Sequence, residues 1–251
     1  MAPTVFFRRF ELKYLLEEPA YRHIRSALDG HMVPDEFGEN RISSVYFDTP
    51  DYRMIRHSLE KPAYKEKLRL RAYGSPGPGD LVYMELKKKY GGVVYKRRVA
   101  LSLEEAEAYL YQGEPLNLES QVLKEVEYLL HCYPVLQPSA YICYERLAFA
   151  SQGAEAIRVT FDRDIVWRRD NLHLSAERDG ELLLPERMRL MEVKVPGAMP
   201  LWLVKLLSAL SVYPVSFSKY GAAYQKEFEE KKQRLMEPAL HTQKGLIHFA
   251  S

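Results

Sequence analysis

The chain has 251 residues, of which 47% are hydrophobic and 28% charged, an ordinary composition for a globular protein. Lys plus Arg number 36 and Asp plus Glu 34, so the net charge of +2 is too small for a general nucleic-acid or membrane-surface binder. The two cysteines match no metal-binding spacing, and no stretch has the length and apolarity of a signal peptide or a membrane span. These features predict a cytoplasmic protein with reduced thiols.

Segments that alternate between polar and apolar residues recur along the chain and predict β-strands. Gly91 and Gly92 separate two of them and predict a hairpin, whereas the Pro/Gly-rich residues 74–80 predict a loop. The predicted strands lie in residues 5–16, 40–49, 64–73, 81–90, 93–101, 140–150, 156–165 and 187–196.

Amphipathic or charged segments between these strands predict helices. Ser102 and Glu105 have the spacing of a capping box, which predicts a helix that runs to about Gln112. The other predicted helices lie in residues 17–31, 51–60, 118–133, 200–210 and 219–236. No linker is evident, so we expect a single domain over residues 1–236 and a C-terminal tail over residues 237–251.

One predicted strand carries four cations on alternate positions: Lys65, Lys67, Arg69 and Arg71. In a strand these side chains share one face, and like charges on one face repel each other. The polar faces of the other strands are also rich in Lys and Arg, with a few Glu, whereas their opposite faces are mostly apolar. For any single strand, the simplest interpretation is that its polar face is the solvent-exposed side of an antiparallel sheet.

The repetition of this pattern, together with several amphipathic helices, favours a different arrangement. We predict an α+β fold in which an antiparallel β-barrel of about eight strands forms a tunnel, with its polar face inward and helices packed outside. Crowded Arg and Lys side chains are unfavourable in an empty, low-dielectric interior and become favourable around a polyanion. Arg and Lys both bind phosphate well, so phosphate is the predicted ligand.

Glu192 is the best candidate for a metal ligand, because it lies between apolar Met191 and Val193 in a short strand. Carboxylate oxygen suits Mg²⁺ or Mn²⁺, and such an ion neutralises phosphate charge. An ion pair with Lys194 or with a cation of a neighbouring strand is the alternative interpretation.

An ordered series of short motifs runs from about residue 8 to residue 225: RFELKY, YFDT, KLRLRAYG, YMELKKK, YKRR, YERLAF, IRVTFD, LMEVKV and FSKY. This series resembles the VTC domain, the polyphosphate polymerase domain of vacuolar transporter chaperone proteins, within the triphosphate tunnel metalloenzymes (the CYTH superfamily). The resemblance implies a basic tunnel that transfers the γ-phosphoryl group of ATP to polyphosphate with Mn²⁺ or Mg²⁺. It also places the C-terminal helix near the tunnel end.

Matched motif by motif, the resemblance implies that cations bind phosphate, that Tyr144 assists, that Glu192 holds the metal, and that Ser218 and Lys219 contact phosphate near the end of the barrel. The implied phosphate-binding cations are Lys13, Arg69, Arg71, Lys87, Lys96, Arg146 and Arg158. Export of the product across a membrane would require a separate membrane-protein partner.

Three positions depart from the family pattern. Arg9 replaces the first Glu of the ExExK motif found in the hydrolase branch, and Ser58 and Ser216 stand where basic residues are expected. The alternatives to a polymerase are a hydrolase of tripolyphosphate or nucleoside triphosphates, and a polyphosphate-binding module without turnover. Nucleic acid is disfavoured, because stacking aromatic residues do not accompany the cations.

Overall fold

The computed structural model describes residues 10–91, 93–152 and 157–236, with side chains up to residue 233. The strands in these ranges are β1 (Phe10–Glu17), β2 (Met32–Asp48), β3 (Tyr64–Tyr73), β4 (Leu81–Tyr90), β5 (Val93–Ser102), β6 (Gln137–Ser151), β7 (Arg158–Arg168), β8 (Glu181–Leu182) and β9 (Met188–Val195). The helices are α1 (Glu18–Leu28), α2 (Arg53–Leu59), α3 (Leu103–Glu107), α4 (Gln121–Cys132), α5 (Leu201–Ala209) and α6 (Lys219–Met236).

All strands belong to one antiparallel sheet in the order β1-β9-β7-β6-β2-β3-β4-β5, and β8 is added beside β7. The predicted α+β class with about eight antiparallel strands is confirmed. Within the described residues no hydrogen-bonded ladder joins β1 to β5, so backbone hydrogen bonds do not close the sheet into a barrel.

The sheet is nevertheless strongly curled, because side chains from distant strands meet on its concave face. Arg71 on β3 donates a hydrogen bond of 3.3 Å to the Tyr144 hydroxyl on β6. Glu11 lies on β1, the first strand of the order, and Lys87 on β4, the last but one. After burial, the Lys87 charge is nevertheless the largest influence on the pKa of Glu11, which it lowers. The concave face is therefore a narrow interior shared by all the long strands.

Apolar residues on the convex face pack against four helices in two clusters. Leu68, Leu70, Met84 and Leu86 lie with α3 and α4, as do Val45 and Phe47 of β2. Val159, Phe161, Met191 and Val193 lie with α1 and α5. Burial of about 25 cal/mol per Å² of apolar surface on this side stabilises the arrangement and leaves the polar positions facing inward. No helix in the described ranges is both long and apolar enough to cross a bilayer.

The two remaining helices, α2 and α6, lie against the concave face. Tyr220 and Ala223 of α6 and Ile55 of α2 join a third apolar cluster with inward-facing residues such as Tyr144 and Ile142. The C-terminal helix therefore covers part of the interior, in agreement with its predicted place near the end of the tunnel.

The largest difference from the predicted elements concerns β2, which begins at Met32 rather than near residue 40. Its first residues, Met32 to Pro34, pair with Phe149–Ser151, and a register shift then separates Pro34 from Glu39. Pro34 and Gly38 interrupt the alternating pattern there, so the sequence does not resemble a strand. The predicted capping box is confirmed by reciprocal hydrogen bonds between Ser102 and Glu105, although its helix becomes a π-helical turn over Ala108–Gln112.

The single-domain prediction stays a prediction, and the predicted tail from Glu237 onward lies outside the described residues, as does Arg9.

Leu70 offers a test of the assigned faces, because its side chain is fully buried on the convex side of β3. We expect Leu70→Ala to lower the free energy of unfolding by about 3 kcal/mol through lost burial and a residual cavity. Leu81→Ala is the matched control at a position that is 64% exposed in the adjacent strand β4, and it should change stability little. Denaturant unfolding measures both. Equal effects would contradict the assignment of the convex face as core.

Candidate functional site

The concave face carries a dense set of charged side chains. Strand alternation and the cross-strand register bring them together from β1, β3, β4, β5, β6, β7 and β9. These inward-facing residues are Glu11, Lys13, Lys65, Lys67, Arg69, Arg71, Glu85, Lys87, Lys96, Arg98, Tyr144, Arg146, Arg158, Thr160, Asp162, Glu192 and Lys194. The four cations predicted on one face of β3 do lie together on it.

Glu85 is the centre of a first ionic cluster. Its carboxylate, 1% exposed, is 2.6 Å from Arg69, 2.6 Å from Lys96 and 3.8 Å from Arg71. Burial alone would raise the pKa of Glu85, but the Arg69, Arg71 and Lys96 charges outweigh it and lower that pKa to about 2. Glu85 therefore stays ionised and fixes three of the predicted phosphate-binding cations in position.

Asp162 and Glu192 form the centre of a second cluster. Arg146 donates two hydrogen bonds of 2.6 and 2.7 Å to Asp162, and Lys219 lies 2.5 Å from the same carboxylate. Glu192 is 3.3 Å from Lys13 and 3.5 Å from both Arg146 and Lys219. Burial opposes ionisation of both carboxyls, but the neighbouring cations hold the pKa of each below its usual value.

Tyr144 joins the two clusters. Its hydroxyl accepts the hydrogen bond from Arg71 of the first cluster. The face of its ring lies 5.2 Å from the Arg146 guanidinium and 4.3 Å from the Lys219 ammonium of the second cluster. Both cations are within the range of cation–π attraction. The two clusters are thus parts of one continuous polar surface.

Three half-buried lysines between these clusters form no salt bridge with any carboxylate that the structure describes. Within the described residues Lys67, Lys87 and Lys194 form no ion pair, and Lys67 donates a 3.0 Å hydrogen bond to the hydroxyl of Ser218. Lys67 and Lys87 are direct cross-strand neighbours, an arrangement in which like charges repel. Burial lowers the pKa of Lys67 and of Lys194 to about 8 in each case. Such groups are poised to bind an anion.

The start of α6 completes the site from the concave side. Ser218 contacts Lys67, and Lys219 contacts both carboxylates of the second cluster. The Lys13 ammonium donates a 3.0 Å hydrogen bond to the carbonyl of Phe217, so β1 is tied to the same segment. These contacts place Ser218 and Lys219 beside the strand residues that the family resemblance also implies in phosphate binding.

Arg158 is the predicted site residue that the structure does not bring into these clusters. Its side chain is 48% exposed and pairs with Asp35 at 2.7 Å, near the beginning of β2. Ser58 is buried in α2, where its carbonyl accepts a hydrogen bond from Lys65, and Ser216 is exposed. The role predicted for Arg158 stays a prediction.

Several members of the site were not predicted as functional. Asp162, Glu85 and Lys194 were recognisable as polar positions of alternating strands, but their pairing depends on the cross-strand register. Tyr46 on β2 was missed because its strand reads as apolar; its hydroxyl accepts a 2.9 Å hydrogen bond from Arg69.

Glu192 fits a divalent cation that is shared with a phosphate ligand. The cations around it lie 3.3 to 3.5 Å from its oxygens, longer than strong hydrogen bonds, so lone pairs remain free. Thr160 pairs with Glu192 across β7 and β9, and its buried hydroxyl has no hydrogen-bond partner. The described residues contain no group of three or more His, Cys, Asp or Glu placed to hold a metal. One carboxylate plus phosphate and water oxygens is a usual set for Mg²⁺.

A family model described as the VTC domain matches residues 8–228, which contain every residue of the two clusters. The chain belongs to the VTC domain family. Subunit 4 of the vacuolar transporter chaperone complex of Trypanosoma cruzi is 28% identical over 153 residues, which cover 49% of this chain and 19% of that protein. This VTC domain thus matches only about a fifth of the length of that curated relative.

Two solved structures of other proteins are similar to this VTC domain. A candidate adenylate cyclase from Bacillus halodurans has a TM-score of 0.52 at 15% identity, covering 84% of this chain and 95% of that chain. A candidate adenylyl cyclase from Hippeastrum has a TM-score of 0.48 at 13% identity, covering 86% and 95%. The first of these supports the fold alone.

Substitution of Lys67 tests whether its unpaired ammonium charge destabilises the empty site and binds the ligand. Because burial lowers its pKa, the charged form destabilises the folded protein below about pH 8, and this cost disappears as the pH rises. We expect Lys67→Met to stabilise the empty VTC domain at neutral pH by about 1 kcal/mol and to reduce the thermal shift produced by tripolyphosphate.

Lys89→Met is the matched control for this substitution, since Lys89 is exposed near the hairpin tip of the adjacent strand. It should leave both the unfolding temperature and the tripolyphosphate shift unchanged. A destabilised Lys67→Met protein with a normal tripolyphosphate shift would show that Lys67 supports the fold and not the ligand.

Proposed function

We propose that this VTC domain is a metal-dependent polyphosphate polymerase that transfers the γ-phosphoryl group of ATP to a polyphosphate chain. The observation that carries the proposal is the VTC family match over residues 8–228, which spans a concave face lined by Arg and Lys around Glu192. The name of the Trypanosoma cruzi relative, a vacuolar transporter chaperone subunit, supports the same activity.

In the proposed reaction the residues of the site act by position and charge. Arg69, Arg71 and Lys96, held by Glu85, and Arg146 and Lys219, held by Asp162, are pre-oriented to bind phosphate oxygens. A Mn²⁺ or Mg²⁺ ion held by Glu192 and by phosphate oxygens would neutralise charge and polarise the transferred group.

The proposed transfer is an in-line displacement that needs no covalent enzyme intermediate. An oxygen of the terminal phosphate of the chain bonds to the γ-phosphorus of ATP as the bond from that phosphorus to the bridging oxygen breaks, and ADP leaves. At initiation a water molecule or a free phosphate takes the place of the chain. The uncompensated Lys67, Lys87 and Lys194 would bind the negative charge of the acceptor.

We further propose that the reaction takes place in the cytoplasm, and that export of the product depends on a membrane-protein partner. The relative is named as one subunit of a complex, which supports a partner for this chain as well.

Product analysis separates the polymerase from its alternatives. The pure protein is incubated with ATP and Mn²⁺, and the products are resolved by length on a gel. Long polymer with ADP is the expected result. Free phosphate without polymer would instead indicate a hydrolase that uses the same cations with water as acceptor, and tight tripolyphosphate binding without turnover would indicate a binding module.

Two variants probe the roles of the site residues. We expect Glu192→Gln to reduce turnover by at least about 100-fold, because the metal ligand is lost, while tripolyphosphate binding falls much less. Arg69→Ala should reduce both binding and turnover, because it also leaves Glu85 without its closest guanidinium. Gel analysis and calorimetry measure the two effects.

Lys89→Ala is the control variant, since its side chain is exposed near the hairpin between β4 and β5. It should retain wild-type turnover. Full activity in Glu192→Gln would refute the metal assignment. Arg69 and Lys89 lie on the same face of the sheet at a half-buried and an exposed position, so equal losses in Arg69→Ala and Lys89→Ala would refute the assignment of the buried interior as the phosphate site.

A further inference from the structure

Tyr46 is a buried tyrosine at the edge of the first ionic cluster, and no role has been assigned to it. Its side chain points to the concave face from near the C-terminal end of β2, where Tyr46 pairs with Arg69 of β3 and Ala140 of β6. The residue is 7% exposed, and the Arg69 guanidinium donates a 2.9 Å hydrogen bond to its hydroxyl oxygen.

The hydroxyl of Tyr46 accepts this hydrogen bond but has no acceptor for its own proton within the described residues. A buried donor without an acceptor is costly, so the empty site favours either loss of the proton or the arrival of an acceptor atom. An oxygen of a phosphate bound by Arg69 would be such an acceptor, because Arg69 and Tyr46 share a hydrogen bond.

The groups that face Tyr46 are mostly cationic. Lys67, Arg69 and Arg71 of β3 all lie close enough to influence its ionisation. The carboxylate of Glu85 on β4 forms salt bridges with Arg69 and Lys96.

Two tyrosines belong to the same apolar cluster as Tyr46. Tyr144 of β6 accepts a hydrogen bond from Arg71. Tyr220 of α6 stacks on the Tyr46 ring at 4.7 Å and hydrogen-bonds through its hydroxyl to Asp48, at the end of β2. Asp48 in turn accepts hydrogen bonds from the backbone amides of Met54 and Ile55 in α2.

The two stacked tyrosines are thus in opposite electrostatic environments. Burial and the neighbouring Asp48 carboxylate raise the pKa of Tyr220, which keeps its proton. Burial would also raise the pKa of Tyr46, but Arg69, Arg71 and Lys67 outweigh it and lower that pKa to about 7.

We propose that Tyr46 is a further phosphate-binding residue, whose hydroxyl donates to a bound phosphate and loses its proton in the empty site above neutral pH. The inference rests on the proposed function in so far as both require phosphate on the concave face. The proton comes from solvent: Tyr46 phenolate and one proton give the phenol, whose O–H group then donates to a phosphate oxygen. The added negative charge of the ligand drives this uptake, because it raises the pKa of the phenol.

The near-ultraviolet absorbance of tyrosinate tests the proposal directly. In the empty wild-type protein we expect one tyrosine to ionise near pH 7, well separated from ordinary tyrosines, which ionise near about pH 10. Tripolyphosphate should move this transition to higher pH. Tyr46→Phe keeps the ring on Tyr220 and should abolish the transition.

Binding affinity supplies the second readout. At a pH below the transition, where Tyr46 carries its proton, Tyr46→Phe should weaken tripolyphosphate binding about tenfold, since it removes a hydrogen bond to a charged ligand. Tyr141→Phe is the matched control: Tyr141 is equally buried, but its hydroxyl donates to Ser43 on the convex side of the sheet. That variant should keep both the transition and the affinity.

The absence of a tyrosine transition near neutrality in the empty wild-type protein would overturn the proposal, as would wild-type affinity in Tyr46→Phe. Arg69→Ala separates this failure from failure of the proposed function. If Arg69→Ala loses tripolyphosphate binding while Tyr46→Phe keeps it, only the role of Tyr46 is refuted. If the wild-type protein itself does not bind tripolyphosphate, both proposals fail.

Discussion

The concave face depends on the contacts between three buried carboxylates and the cations around them. All three are buried: Asp162 is 0% exposed, Glu85 1% and Glu192 7%. Paired buried charges add little net stability compared with apolar residues of similar size, so their value lies in the geometry that they impose. Each carboxylate holds guanidinium and ammonium groups from at least two secondary-structure elements in a fixed orientation. Without these anions the cations would repel one another across a narrow interior.

The apolar side of the sheet explains why these charges face inward at all. Each long strand presents alternate residues to its two faces, and four helices cover the convex face. The polar residues are therefore left on the concave side, where α2 and α6 exclude part of the solvent. This partial burial strengthens every electrostatic interaction in the interior. It also lowers the pKa of Lys67 and of Lys194 toward physiological values.

The fold was largely predictable because the two-residue period is local information. The strand of Lys65 to Arg71 and the capping box of Ser102 could be read directly from the sequence, and both are present. The early part of β2 was not predictable, since Pro34 and Gly38 disturb its pattern and only its pairing with Phe149–Ser151 makes it a strand. The same limit applied to the site. That Arg69 is held by Glu85, and that Arg158 turns to Asp35, follows from register and curvature, which residue spacing does not contain.

The distribution of paired and unpaired cations bears on which anions this VTC domain would select. The Arg residues of both clusters are already neutralised in part, whereas Lys67, Lys87 and Lys194 come from three different strands and form no salt bridge within the described residues. A single small anion would relieve the charge of only some of these groups. A linear chain of phosphates carries charge at regular intervals along its length and would relieve it at several strands together. The electrostatic cost of the empty interior thus favours an extended polyanion over an isolated phosphate, and the gain grows with each uncompensated lysine that the chain reaches.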